Sequence, residues 1–271
     1  MHSATQAEID ESHAQFRGAW RRMALGSRAG EVVERPEVYL AACHVAWDMM
    51  NTAFLRAPVE SEQGLAAAAA SAARYFSMGK HPWSFIVSED WLSPQVRAQA
   101  ASILAWYKLK PLTSVTGMVC DRLAEPTRPA SPMDVRPVVN AWGRQAVADI
   151  NALSYDMPQE LGREVMDVES FFGTESRGFV ACQGDAAASS SVVIRVDGVA
   201  YIALVATRPE HRRIGAAESA LRRALREARE SWGIERSVLH ATEAGFPLYT
   251  RLGYRPVTRF TIYSAPAPGL G

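Results

Sequence analysis

The segment Thr207-Arg-Pro-Glu-His-Arg-Arg-Ile-Gly-Ala-Ala217 joins two stretches of different pattern. Before it, residues 199–207 are almost wholly apolar, which predicts a strand that is buried on both faces. After it, residues 215–230 place small and apolar side chains on one helical face. The sequence therefore predicts a buried strand, a short basic loop and the start of a helix.

This junction has the features of an anion-binding site. The first amides of a helix lack partners inside the helix, and the helix dipole places partial positive charge there. Gly215 and the two alanines after it leave room for a diphosphate to approach the main chain. Arg212 and Arg213 can add charge-assisted hydrogen bonds. A solvated basic loop that caps a helix is the alternative interpretation, and the sequence contains neither GxGxxG nor GxxxxGK[ST].

Two motifs in order resemble one enzyme family. Arg212-Arg-Ile-Gly-Ala-Ala217 matches the [Q/R]xxGx[G/A] signature of the GCN5-related N-acetyltransferase (GNAT) superfamily. Downstream, Leu248-Tyr-Thr-Arg-Leu-Gly-Tyr254 is similar to its LYxxLGF segment, and Pro209 stands where the family has a proline. The resemblance covers about residues 135–263 and is more specific than either motif alone.

The resemblance implies an α/β (α+β) fold with a mixed, mostly antiparallel sheet that is split at an acetyl-CoA cleft. Strands 199–207 and 237–242 would diverge, and acetyl-CoA, the co-substrate, would lie between them. Its pantetheine arm would pair with backbone groups of Val205, Ala206 and Thr207. Its diphosphate would lie on Arg212, Arg213, Ile214, Gly215, Ala216 and Ala217.

The resemblance also implies direct attack of an amine on the thioester. The amine must lose a proton before it can attack, and the leaving thiolate must gain one. Tyr249 occupies the family's position for the proton donor, although a tyrosine there can also serve only to pack its ring. His240 and Glu243 are the candidate bases, and a water chain is the alternative.

The acceptor is less well indicated by the sequence. Carboxylates are frequent in one segment, at Asp156, Glu160, Glu164, Asp167, Glu169 and Glu175. An acidic rim would favour a cationic small-molecule amine, with an aminoglycoside-type antibiotic as one candidate and antibiotic resistance as the role. An ordinary solvated helix face is the alternative. An acetyltransferase acting on a protein or peptide, and a non-catalytic acyl-CoA-binding regulator, also remain open.

Prolines suggest how the 271 residues are divided. Pro126, Pro129 and Pro132 predict an extended linker over residues 124–134. We expect a catalytic GNAT domain at 135–271 and a degenerate GNAT-like domain at 1–123. The first half has no [Q/R]xxGx[G/A] loop, so we expect it not to bind CoA productively and to wall the acceptor cleft.

Composition excludes several classes of function. The formal net charge of zero argues against a general nucleic-acid or anionic-membrane binder. No apolar run reaches the roughly 18 residues of a membrane span, and the first residues lack a signal-peptide core. The three cysteines are widely spaced and predict neither disulfides nor a metal site. We expect a cytoplasmic protein, and the oligomeric state stays open.

Overall fold

The computed structural model describes residues 4–126 and 133–268. The predicted linker falls mainly on residues 127–132, which lie outside the described residues. Contacts divide the chain into two compact units. The first unit comprises residues 1–117, 241–244 and 256–271, and the second comprises residues 118–240 and 245–255. The chain therefore enters the first unit again after the second, whereas the predicted boundaries place residues 135–271 in one domain.

Helices and a sheet form the first unit. Its helices are α1 (Gln6–Gly26), α2 (Glu62–Phe76) and α3 (Pro94–Ala105). Its strands are β1 (Glu31–Glu34), β2 (Val38–Ala42), β3 (Asn51–Leu55), β4 (Trp83–Ser88), the first part of β5 (Lys110–Cys120) and most of the C-terminal strand β11 (Arg255–Ala265). Only the β3–β4 pair is parallel among the pairs β1–β2, β2–β3, β3–β4 and β4–β11.

The helix starts of the first unit follow from local sequence. Thr5 accepts a hydrogen bond from the Glu8 amide, and the Glu8 carboxylate accepts one from the Thr5 amide, which forms a capping box. Ser93 accepts from the Val96 amide ahead of Pro94, as the sequence predicts. Strands β1, β2 and β3 were not predicted, because they are short and β2 and β3 are buried without alternation.

The second unit packs helices on another mixed sheet. Its helices are α4 (Ala141–Ser154), α5 (Gln159–Met166), α6 (Ala216–Trp232) and α7 (Phe246–Arg251). Its strands are β6 (Asp134–Pro137), β7 (Ser176–Gln183), β8 (Ala186–Val196), β9 (Val199–Thr207) and β10 (Ser237–Ala241). They lie in the order β10-β9-β8-β7-β6, and only β9–β10 is parallel. The predicted mixed, mostly antiparallel sheet is confirmed.

Local signals position the elements around the site. Asp197 (φ 45°) and Gly198 (φ 79°) are both left-handed between β8 and β9, which confirms the predicted hairpin turn. Helix α6 approaches the sheet closely because Ala216 and Ala220 contact alanines of β7 and β8 in one buried cluster. The small residues after the predicted loop thus bring the helix start against the strands.

Candidate active site

The parallel strands β9 and β10 part inside the second unit. Their last pair in the described chain joins Ile202 to Leu239. Strand β9 continues for five more residues, Ala203 to Thr207, before the chain turns toward α6. The predicted split of the sheet is confirmed, and Val205, Ala206 and Thr207 lie on the part of β9 that extends past β10.

A bulge distorts β9 within this parted segment. Ala203 pairs with Val192 and Ala206 pairs with Ser190, so Leu204 and Val205 together oppose Ser191. Leu204 has a φ of 50°. A left-handed leucine costs about 1–2 kcal/mol, and such strain tends to be found at functional sites. The sequence carries no signal for this bulge, and it was not predicted.

The loop between β9 and α6 has the backbone shape of an anion site. A single 3-10 turn, Pro209–His211, leads into it. Arg213 (φ 66°) and Gly215 (φ 83°) are left-handed, and residues alternating in this way direct successive amides to one concave side. Gly215 caps α6 without a side-chain hydrogen bond, because glycine has no side chain to donate or accept one. Arg212 and Arg213 are exposed and available to a ligand. The residues present therefore fit a diphosphate.

Tyr249 lies in the short helix α7. Pro247 stands in the first turn of this helix, and Gly253, with a φ of 95°, follows its end. The side chain of Tyr249 is buried. Burial, and then the charge that Tyr155 would carry if ionised, raise the pKa of Tyr249 well above its ordinary value. The hydroxyl of Tyr249 therefore keeps its proton throughout the neutral range.

The ring of Tyr249 is held by a neighbour from the same motif. Tyr254 meets it edge-on, with ring centroids 5.9 Å apart. The Tyr254 hydroxyl lies 2.7 Å from Ser237 Oγ on β10. Within this motif, the ring of Tyr254 therefore packs on Tyr249 while its hydroxyl is bonded to β10.

His240 stands immediately after the last β9–β10 pair. Its Nδ1 lies 3.0 Å from the Tyr201 hydroxyl, a contact within hydrogen-bond distance. Burial raises the pKa of Tyr201 well above its ordinary value, so Tyr201 is a neutral partner. Glu243 lies in residues 241–244, which belong to the first unit. Its role as a base stays a prediction.

The acidic segment is partly neutralised by arginines that are distant in sequence. Arg144 lies 3.0 Å from the Asp167 carboxylate and 3.6 Å from that of Glu169. Arg195 lies 3.9 Å from the Glu175 carboxylate. The exposed carboxylates of this segment that remain for a cationic ligand are Asp156, Glu160 and Glu164.

Comparison with known proteins identifies the domain that contains this site. Residues 143–257 match the family model of the acetyltransferase (GNAT) domain. The chain contains a GNAT domain. The matched segment of this GNAT domain includes the parted end of β9, the Arg212–Ala217 loop and Tyr249. GNAT domains are acyltransferases, so the predicted enzyme class is confirmed.

Solved structures match nearly the whole chain at low identity. A GCN5-related N-acetyltransferase from Kribbella flavida is 18% identical, with a TM-score of 0.72, and the alignment covers 98% of each chain. A tandem GNAT protein from the clavulanic acid biosynthesis pathway is 14% identical, with a TM-score of 0.53, and covers 99% of this chain and 98% of its own. These likenesses show the fold. No curated protein matches the chain.

Two exclusions concern the described residues. Within 4–126 and 133–268, no helix is both long and apolar enough to cross a membrane. The same ranges contain no cluster of histidine, cysteine, aspartate and glutamate suited to a metal ion.

Proposed function

We propose that this protein transfers the acetyl group of acetyl-CoA to an amine of a small molecule by direct attack. One observation supports the proposal above all others. The parted end of β9 leads directly into a left-handed, arginine-bearing loop at the start of α6. This arrangement supplies the main-chain groups of a parted strand edge for an extended arm and a positive cradle for a diphosphate, in that order along one chain.

The thioester would follow that order. Backbone groups of Val205, Ala206 and Thr207 would pair with the pantetheine arm, because these residues extend past β10. The diphosphate would accept hydrogen bonds from amides of the Arg212–Ala217 loop, with the two arginines adding charge. The acetyl group would then lie near His240, where β10 separates from β9.

The chemistry requires two proton movements. The neutral amine nitrogen forms a bond to the acetyl carbon, and its extra proton passes to a base. As the carbon–sulfur bond breaks, the sulfur takes the hydroxyl proton of Tyr249, which later regains one from solvent. Because burial raises the pKa of Tyr249, its hydroxyl is a weaker acid than the CoA thiol, and the transfer to sulfur is completed only when Tyr249 regains its proton.

The base is open to a direct test. We expect the pH–rate profile of kcat/KM to have an acidic limb that reports protonation of the base. If His240 is that base, His240→Ala abolishes the limb and Glu243→Ala retains it. Identical profiles for wild type and both variants would favour a water chain and contradict both residues.

A cationic acceptor predicts a dependence on salt. Asp156, Glu160 and Glu164 would attract an amine-rich molecule, and exposed charges are screened within about 8 Å at physiological ionic strength. We expect KM for an aminoglycoside to rise several-fold between low and high salt, with kcat nearly constant. A neutral amine of similar size is the control, because its KM should not change. Preference for an anionic or neutral acceptor would contradict the acidic rim.

The function is tested by release of CoA thiol from acetyl-CoA in the presence of simple amines, aminoglycosides and peptides. Turnover of small amines or aminoglycosides supports the proposal. Turnover of peptides alone indicates a protein acetyltransferase. Calorimetric binding of acetyl-CoA without turnover of any acceptor indicates a regulator. The absence of acetyl-CoA binding contradicts the proposal as a whole.

A further inference from the structure

A run of buried serines lies beside the bulge of β9. Ser189, Ser190 and Ser191 of β8 have no exposed surface. The Ser190 hydroxyl donates to the carbonyl oxygen of Leu204, 2.8 Å away. The Ser189 hydroxyl donates to the carbonyl oxygen of Ala206, 2.6 Å away. Ser191 Oγ has no hydrogen-bond partner among the residues that the structure describes. Two of the three hydroxyls therefore bind the parted segment of the next strand.

Helix α4 fixes the direction of the Ser190 hydroxyl. The side-chain amide of Asn151 donates to Ser190 Oγ at 3.0 Å and to the Val147 carbonyl at 2.8 Å. Asn151 is fully buried. Because the amide can only donate and the Leu204 carbonyl can only accept, the Ser190 hydrogen must point to Leu204. Two hydrogen bonds of fixed direction thus connect Asn151 on α4, through Ser190 on β8, to the Leu204 carbonyl in the bulge.

The geometry of the peptide bond links the Leu204 carbonyl to the direction of the Val205 N–H. The carbonyl of Leu204 and the amide of Val205 belong to one rigid trans peptide, in which they point in opposite directions. A hydroxyl on β8 that holds the Leu204 oxygen therefore turns the Val205 N–H away from β8. Beyond Ile202, the side of β9 away from β8 is the parted edge. The same reasoning applies to Ser189, which holds the Ala206 carbonyl and so directs the Thr207 N–H.

We infer that Ser190, held by Asn151, is a positioning residue that aims the Val205 amide into the cleft for acetyl-CoA. This inference rests on the proposed function, because it assumes that the parted edge receives the thioester. It assigns a task to residues outside both motifs. It also explains why a strained leucine persists at the bulge: its carbonyl is held from one side and its neighbour's amide is presented on the other.

The adjacent serines provide a matched set of variants. We expect Ser190→Ala to weaken calorimetric binding of acetyl-CoA by about threefold to tenfold, the range for one misplaced hydrogen bond. Ser191→Ala removes a buried hydroxyl from the same strand and should leave the dissociation constant unchanged. Ser190→Thr keeps the hydroxyl and should restore wild-type affinity. Adding Asn151→Ala to Ser190→Ala should cause little further loss, since both act through one bond.

Hydrogen exchange tests the geometry without ligand. Amides in peptides covering residues 199–208 should exchange faster in Ser190→Ala than in wild type or Ser191→Ala. Equal exchange and equal affinity in the two alanine variants would overturn the inference while wild-type binding upheld the proposed function. If wild type fails to bind acetyl-CoA, the proposed function is overturned, and the role of Ser190 toward the thioester is overturned with it.

Discussion

Replacing Tyr249 by phenylalanine is expected to lower kcat at least about tenfold. Loss of a general acid usually costs about a hundredfold or more, but water can partly replace the missing hydroxyl. The ring stays in place, because its burial and its edge-on contact with Tyr254 do not involve the hydroxyl. The dissociation constant of acetyl-CoA should change little, since the proposed contacts of CoA lie on β9 and the Arg212–Ala217 loop. Steady-state kinetics with calorimetry would measure both quantities.

Tyr254→Phe is the matched control for Tyr249→Phe. Tyr254 is also buried and belongs to the same motif, but its hydroxyl contacts Ser237 of β10. Removing that hydroxyl should cost about 1 kcal/mol of unfolding free energy and leave kcat near wild type. Wild-type turnover in Tyr249→Phe would contradict the role of Tyr249 as acid, and equal loss in both variants would indicate that packing alone is affected.

Much of the second unit was predictable because its signals are local. The Asp-Gly turn, the apolar run of β9 and the small residues at the start of α6 each determine backbone structure within a few residues. The left-handed conformation of Gly215 was not predicted, because a residue just before a helix is typically extended. Local chemistry therefore predicted the strand, loop and helix that form the candidate site.

Features that depend on distant pairing could not be read from the pattern. The strand β11 pairs with β4 in the first unit, from Phe260–Ser88 to Ala265–Trp83, although it follows the second unit in sequence. A closing strand for a domain that ends at residue 271 was predicted instead. The alternation of side chains along a strand does not specify which other strand is its neighbour. The same holds for the bond from Asn151 to Ser190, which joins residues 39 positions apart.

The local charge of a folded segment also depends on residues that are distant in sequence. The sequence presents Asp167, Glu169 and Glu175 as part of an acidic run, but folding brings Arg144 and Arg195 against them. A count of charges along the chain therefore overstates the negative potential. The acceptor prediction rests on the remaining exposed carboxylates, which is why its test depends on salt and on a neutral control.

Gly215→Ala is expected to weaken acetyl-CoA binding at least about tenfold, and it should do so through the backbone. Gly215 has a φ of 83°, which costs a residue with a Cβ about 1–2 kcal/mol. The loop can relieve this strain only by rotating the amides that form the cradle between Arg213 and Ala217. An altered cradle loses hydrogen bonds to the diphosphate, each worth about 1.5–3 kcal/mol when the partner is charged. Calorimetry with acetyl-CoA measures the effect.

Gly233→Ala separates loss of the cradle from general strain, because Gly233 lies at the other end of the same helix with a φ of 68°. A Cβ there would meet nothing within 4 Å, so the substitution introduces left-handed strain without a clash. Both variants should lose about 1–2 kcal/mol of stability in chemical denaturation, but only Gly215→Ala should lose affinity. Equal affinities in the two variants would contradict a diphosphate site at the start of α6, since that site requires the Gly215 conformation and the Gly233 end of the helix contributes nothing to it.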